Sequence, residues 1–271
     1  MRNQFLKGHV AIIAGGGRGI GAATAHVLAQ AGASVTVVAR TSAEVESVAA
    51  EIASADGQAL AVPADISDEA QVEAMVRRTI DAFGRIDFLI NCAAVTEPLG
   101  QPAWEITPAE WQKSIDINLT GVFLLSRAVV GQMLRQGAGR LLIVSSNFSE
   151  VVLPRASAYC AARAGVNHFI RVLAAELDGT GVTANIVYPG VVETQGLQAF
   201  RSGLSGPNYT SDGTIRRRRT RDPSEPASLL LWLCSPATSH MTGQVVALGD
   251  EVVQRRLERF LNRQTASWPG T

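Results

Sequence analysis

Short apolar runs alternate along this chain with longer stretches whose apolar residues recur every three or four positions. The runs are HVAIIAG, SVTVVAR, QALAVPADI, IDFLINCAA, RLLIVSS, VTANIVYPG and GQVVAL. Between them lie GAATAHVLAQAG, SAEVESVAAEIASADG, SDEAQVEAMVRRTIDAFG, a helix over about 108–136, ASAYCAARAGVNHFIRVLAAEL and EPASLLLWLCS. In the first of these, Ile20, Thr24, Val27 and Leu28 share one helical face; in the second, Ser42 is placed to cap the start and Gly57 to end the helix. Strands that are apolar on both sides must be covered on both sides, and parallel strands need crossover helices. The alternation therefore predicts an α/β fold, a parallel sheet with helices on both faces.

Composition narrows the classes. The chain has 271 residues, 46% of them hydrophobic, which suits one domain, and 24 basic residues balance 24 acidic ones. No excess charge points to nucleic acid or to a membrane surface. Cys92, Cys160 and Cys234 are far apart and form no CxxC pair, as expected in a reducing cytoplasm. His9, His26, His168 and His240 have no ligand spacing, so no metal is expected. No charged leader precedes an apolar run, and no stretch of about 18 apolar residues is seen. The least regular part is 193–222, rich in Gly, Ser and Arg; it follows the sixth strand and so should emerge where ligands bind in such sheets, as a substrate loop or lid.

Gly15, Gly17, Gly19 and Gly21 fall between the first strand and the first helix. Glycines in that context let backbone amides approach a pyrophosphate at a helix N-terminus. The second strand ends Ala39-Arg40-Thr41 with no acid to bind the ribose hydroxyls of NAD. Arg40, with Arg18 in the turn, suits a 2′-phosphate instead and favours NADP.

These motifs, taken in order, resemble those of the short-chain dehydrogenase/reductase family over about residues 8–250. They are GGGRGIG at 15–21, Asp65 after the third strand, FGRIDFLINCAA at 83–94, INLTGVFLL at 117–125, VSS at 144–146, Tyr159, and YPGVVET at 188–194. The resemblance implies a single-domain, doubly wound, Rossmann-like sheet of seven parallel strands, a homodimer or homotetramer, and an oxidoreductase. It assigns Asn118, Ser146, Tyr159 and Arg163 to catalysis. Ser146 would hold the substrate carbonyl, Tyr159 would exchange the hydroxyl proton, and Asn118 would hold a water. The cofactor contacts it implies are the turn with Ile20, then Arg40 and Thr41, Asp65 and Ile66 at the adenine, and Asn91 and Ala93. Tyr159, Arg163, Pro189, Gly190, Val192 and Thr194 complete the set. Several positions depart from the family pattern. Ala14 stands for a threonine, NCAA for NNAG with Ala94 at a common glycine, Asp250-Glu251 for a glycine pair, and Arg163 for the active-site lysine.

Reducing a ketone needs a hydride on carbon and a proton on oxygen, given by a donor about 2.6–3.2 Å away. A free phenol titrates near pH ~10, so a nearby cation helps it cycle. Tyr159 and Arg163 are four apart and share a helix face. A guanidinium keeps the charge and has five donors, but it is wider than an ammonium and does not release a proton. Three readings stay open. One is an NADP(H)-dependent reductase of a ketone or 3-oxoacyl group. Another is a pathway dehydratase, cyclase or stereochemical helper. The last is a cofactor-binding subunit paired, heteromerically, with an active homologue.

Smaller signals follow. Arg216, Arg217, Arg218, Arg219 and Arg221 would attract an anionic group, such as the phosphate of an acyl carrier protein or coenzyme A, or form a solvated face. Ser149 and Glu150 either reach the substrate or cap a loop. Cys160, Trp104 and Trp111 are expected to pack. The tail 251–264, in an extension running to 271, places Val253, Leu257, Phe260 and Leu261 on one face, as a helix docked on a neighbouring subunit or a frayed end.

Overall fold

All five residues of β1 (Val10–Ala14) are buried, and β4 (Phe88–Asn91) is likewise buried throughout. This double-sided burial is why neither run alternates polar with apolar. In the computed structural model, which describes residues 4–195, 197–198 and 220–265, they join β2 (Ser34–Ala39), β3 (Gln58–Pro63), β5 (Gly139–Val144), β6 (Val182–Tyr188) and β7 (Val245–Ala247). The sheet has seven strands in the order β3-β2-β1-β4-β5-β6-β7, and every pairing is parallel. The chain runs outward from β1 to β3 and then returns to the other side of β1 at β4. That reversal opens a crevice beyond the carboxyl ends of β1 and β4.

Helices cover both faces. α1 (Gly19–Gln30), α2 (Ser42–Ser54) and α7 (Ser224–Leu233) cover one, with Leu28, Ile52 and Leu230 in its core. α3 (Glu69–Phe83), α4 (Pro108–Ile115), α5 (Gly121–Gln136) and α6 (Ser157–Glu176) lie on the other, where Met75, Leu125 and Ile170 are fully buried. The α2 start differs from expectation. Thr41 holds the cap position without a side-chain bond, and Ser42 is already helical, its hydroxyl donating to Glu46 at 2.7 Å.

The stretch 108–136 is not one regular helix. Thr107 and Glu110 form a capping box with Pro108 in the first turn, and a π-helical turn, Asp116–Thr120, separates α4 from α5. Inside that turn the fully buried Asn118 donates to the Val95 carbonyl at 2.7 Å and accepts from the Val95 amide at 3.2 Å. The widened turn thus aims one amide side chain at the loop after β4, a common use of such insertions. Pro108–Gln136 also amends the expectation about apolar length. Its 29 residues, with hydropathy 1.4 over their most apolar window, pass the length and composition test for a membrane crossing. Its apolar side packs on the sheet, with Val122, Leu125 and Val129 fully buried, as in a core helix.

The tail forms α8 (Glu251–Thr265). Asp250 starts it by accepting from the amides of Val252 at 2.8 Å and Val253 at 3.0 Å, which gives the departure from a glycine pair a structural role. Leu257 is 7% exposed, and Phe260 meets Phe5 edge-on at 5.8 Å. The helical option of the two expected is the one the tail adopts, and part of its apolar face packs on its own chain.

Candidate active site

The crevice holds a cavity of about 540 Å³. Its floor is the glycine turn, where Gly15, Gly17, Gly19 and Gly21 all face it, with Arg18 and Ile20. Two of these glycines are sterically required. A Cβ on Gly15 would lie 2.5 Å from the Ala93 amide nitrogen, in a backbone with φ of 73°, and one on Gly21 would lie 2.0 Å from the Gly15 carbonyl oxygen. The turn therefore presses against the loop after β4 and leaves the α1 N-terminus open. That terminus has no side-chain cap and no acidic residue in its first turn, so its amides remain for an external anion.

The end of the cavity at which the sequence places adenosine is lined by Arg40, Thr41, Asp65 and Ile66. One Asp65 oxygen, Oδ1, is held by the amide and hydroxyl of Ser67, at 2.9 and 2.6 Å. Sequence reasoning missed Glu44, which also lines this end. Its carboxylate lies 3.8 Å from Arg18. The position is one helical turn past Arg40, and only the approach of α2 to Gly17 reveals it.

At the other end Ala93, Ser146, Tyr159, Arg163, Pro189, Gly190, Val192 and Thr194 all line the same cavity. Asn91, expected beside the cofactor and as a brace of the sheet, and Asn118, expected to hold a water and help position the site, stand behind this lining. Asn91 ends β4 with its side chain turned into the protein, 0% exposed, its Oδ1 accepting from the Ala93 amide at 3.1 Å. It braces the loop from behind, and Cys92, Ala93 and Ala94 form the wall. Burial pushes the Cys92 thiol up to about 12, so it is neutral near pH 7. Asn118 lies behind Arg163 for the same reason: the π turn directs it to Val95.

Arg163 is 2% exposed, and its Cζ lies 5.2 Å from the centre of the Tyr159 ring. Its Nη1 donates to the Val144 carbonyl and its Nη2 to Asn118 Oδ1, both at 3.3 Å. Nε is buried without a partner, and among the described residues no carboxylate pairs with this guanidinium. This buried cation is supported by two long bonds and the Tyr159 ring alone, with no counter-charge among the described residues. Ser146 lies two residues beyond β5, and its Oγ accepts from the Phe148 amide at 3.2 Å. Ser149 and Glu150 bond Tyr188 at 2.7 and 2.9 Å, the loop-holding option of the two expected.

Two loops flank this end. The Gly100 amide donates to the Arg155 carbonyl at 2.9 Å, and the Arg155 guanidinium returns a bond to the Gly100 carbonyl at 2.8 Å. Each loop carries a side chain that is 86% exposed, Trp104 on one and Val152 on the other. Residues 196 and 199–219, which include Arg216–Arg219, lie outside the described residues. Arg221 is described and pairs with Glu225 at 2.8 Å.

Comparison with known proteins agrees with this geometry. Residues 9–205 match the family described as short chain dehydrogenase. A 3-oxoacyl-[acyl-carrier-protein] reductase from Synechocystis sp. is 36% identical over 244 residues, 88% of this chain and 94% of that one. D-threitol dehydrogenase from Mycolicibacterium smegmatis is 35% identical, covering 88% and 90%. Among solved structures, 7 alpha-hydroxysteroid dehydrogenase complexed with NADH and 7-oxo glycochenodeoxycholic acid superposes with a TM-score of 0.81 at 31% identity, covering 90% and 94%. The parallel sheet, the uncapped glycine turn and these relatives together place the chain in the short-chain dehydrogenase family of nicotinamide-dependent oxidoreductases.

Proposed function

We propose that this protein is an NADP(H)-dependent carbonyl reductase that turns a ketone or 3-oxoacyl group into an alcohol, with Tyr159 as proton donor. The observation that carries the reading is the convergence of Ser146, Tyr159 and Arg163 on one end of a cavity whose other end is an uncapped helix N-terminus. The bound dinucleotide would supply the hydride. The α1 amides and glycine turn would hold its pyrophosphate, Arg18 and Arg40 a 2′-phosphate, Asp65 and Ile66 its adenine. Pro189, Gly190, Val192 and Thr194 would hold its nicotinamide. Ser146 orients the carbonyl oxygen and Tyr159 delivers the proton to it. Arg163 keeps positive charge beside the phenol and offers one of its three remaining N–H groups to the nicotinamide sugar.

Substrate delivery on acyl carrier protein is supported by the relatives that act on carrier-bound 3-oxoacyl groups, and coenzyme A is the alternative carrier. Assembly as a homodimer or homotetramer is supported by Phe123, Leu134 and Val172, which are 43–44% exposed on α5 and α6. A cytoplasmic setting fits three free cysteines.

The guanidinium favours a second reading, a cofactor-holding subunit without turnover or a member with altered chemistry. Both bonds of Arg163 run to acceptors, Val144 O and Asn118 Oδ1, and arginine passes no proton onward. Purified chain with NADPH and a ketone panel separates the two. Under the reductase reading NADPH is oxidised, and Tyr159→Phe lowers kcat at least 100-fold while NADPH affinity holds. Tight NADPH binding with no oxidation, unrestored by Arg163→Lys, refutes it.

A further inference from the structure

We infer that Tyr188 is a positioning residue for the proposed reductase chemistry: its hydroxyl locks the turn that carries Ser146 to the cofactor-facing loop that begins at Pro189. The inference rests on the reductase reading above. Tyr188 ends β6 and is 8% exposed. Its hydroxyl accepts from Asn167 Nδ2 of α6 at 2.5 Å, donates to Glu150 Oε1 at 2.9 Å and lies 2.7 Å from the Ser149 hydroxyl. Ser149 in turn donates to the Ser146 carbonyl at 2.8 Å. From the other side, Asn167 Oδ1 accepts from the Ser145 hydroxyl at 2.8 Å, while its amide also reaches Ser149 at 2.7 Å.

One phenol therefore joins three elements, β6, α6 and the short 3-10 turn Asn147–Ser149. Both serines at the end of β5 are tied into the network, Ser145 through its side chain and Ser146 through its backbone. The Ser146 hydroxyl is left with a bond to the Phe148 amide, and its aim depends on that turn staying wound. Burial holds the Tyr188 phenol above its ordinary range, so it keeps its single hydrogen, which Glu150 Oε1 and Ser149 Oγ share because the Ser149 hydrogen goes to the Ser146 carbonyl. Tyr188 is bonded directly to Pro189, so movement of the nicotinamide-side loop and movement of Ser146 are coupled through one side chain. Networks of this kind act as a unit, and their members are not independent.

Tyr188→Phe in the full chain is the test. It keeps the ring and removes the hub. Amide hydrogen exchange at Phe148 and Ser149, measured without cofactor, reads the turn directly, and at least tenfold faster exchange is expected. With a ketone that the wild type reduces, kcat falls at least tenfold while KM for NADPH stays within twofold. Ser149→Ala reproduces the loss, and Ser149→Thr, which retains a hydroxyl, recovers most of it. Unchanged exchange at the two amides overturns the inference whether or not the wild type reduces carbonyls. Faster exchange with an intact kcat overturns it too. A wild type inert toward every ketone refutes the reductase reading alone, and the exchange rates still decide whether Tyr188 holds the turn. If Tyr188→Phe does not fold, Ser149→Ala reports on the same two amides.

Discussion

Arg163→Met separates what this residue does for the fold from what it does for the site. The side chain is 2% exposed, and removing a cation from water has an effective penalty of several kcal/mol, about 4 here. Against this stand two bonds of 3.3 Å, worth about 1.5 kcal/mol each, and a contact with the Tyr159 ring at 5.2 Å, worth about 1 kcal/mol. The opposing contributions nearly cancel. Methionine retains most of the apolar stem, so the variant without cofactor should lie within about 1 kcal/mol of wild type. Breaking a fully compensated buried ion pair would instead cost about 3–5 kcal/mol. A chain of this size shifts its Tm by about 2 °C per kcal/mol. The expected result by calorimetry is a Tm within about 2 °C of wild type without cofactor, a smaller gain in Tm on adding NADPH than wild type shows, and activity reduced at least 100-fold. A drop of about 6 °C or more in the cofactor-free variant would refute the reasoning. The guanidinium would then be compensated by the protein itself, and its charge would not be waiting for a ligand.

Other outcomes follow from particular groups. Burial raises the thiols of Cys92 and Cys234 from 9.0 to about 12. Because the unfolded thiols ionise first, stability is intact below pH 9 and falls as pH rises toward 12. At pH 10 the loss is on the order of 1 kcal/mol for the buried Cys234 and smaller for the half-buried Cys92. Urea midpoints at pH 8 and pH 10, in wild type and in a Cys92→Ala, Cys234→Ala double variant, check it: the pH-dependent drop should be largely absent from the variant. Glu44→Gln removes an anion 3.8 Å from Arg18, so fluorescence titration should show tighter NADPH binding by about threefold to tenfold with NADH little changed; weaker NADPH binding would show that Glu44 does not oppose the phosphate. Leu257→Ala, at a 7% exposed position, should lower stability by about 2 kcal/mol and leave the sedimentation coefficient unchanged, because α8 packs on its own chain.

The fold was legible because its central strands are buried on both faces and its helices are not, so the two periods separate along the sequence. The glycine turn was legible for a related reason: crowding against Ala93 leaves no room for a side chain at Gly15, and that requirement is visible as residue type. The rest depends on partners far apart in sequence. Nothing in the sequence shows that Asn91 and Asn118 take the backbone amides of Ala93 and Val95 as their partners. The π turn that aims Asn118 has no signature in helical spacing, since it adds one residue to a loop of backbone and leaves the apolar pattern intact. Glu44 enters the cofactor end only because α2 crosses Gly17. Tyr188 gathers residues that are 21 to 39 positions away, and nothing local to VYPG announces them. The direction taken by the Arg163 guanidinium is likewise a property of what surrounds it, Val144 on β5 and Asn118 on the π turn.

The reciprocal pair of bonds between Gly100 and Arg155 bears on how substrate preference in this chain can be altered. Two segments that are separate in sequence, after β4 and after β5, behave there as one cassette. Only the Arg155 guanidinium in this pair is a side-chain group, so a replacement for the segment after β5 that lacks this arginine would leave the Gly100 carbonyl without its partner and loosen the other segment. Changes of specificity in this protein should therefore be made, and are expected to evolve, as matched exchanges of both segments together.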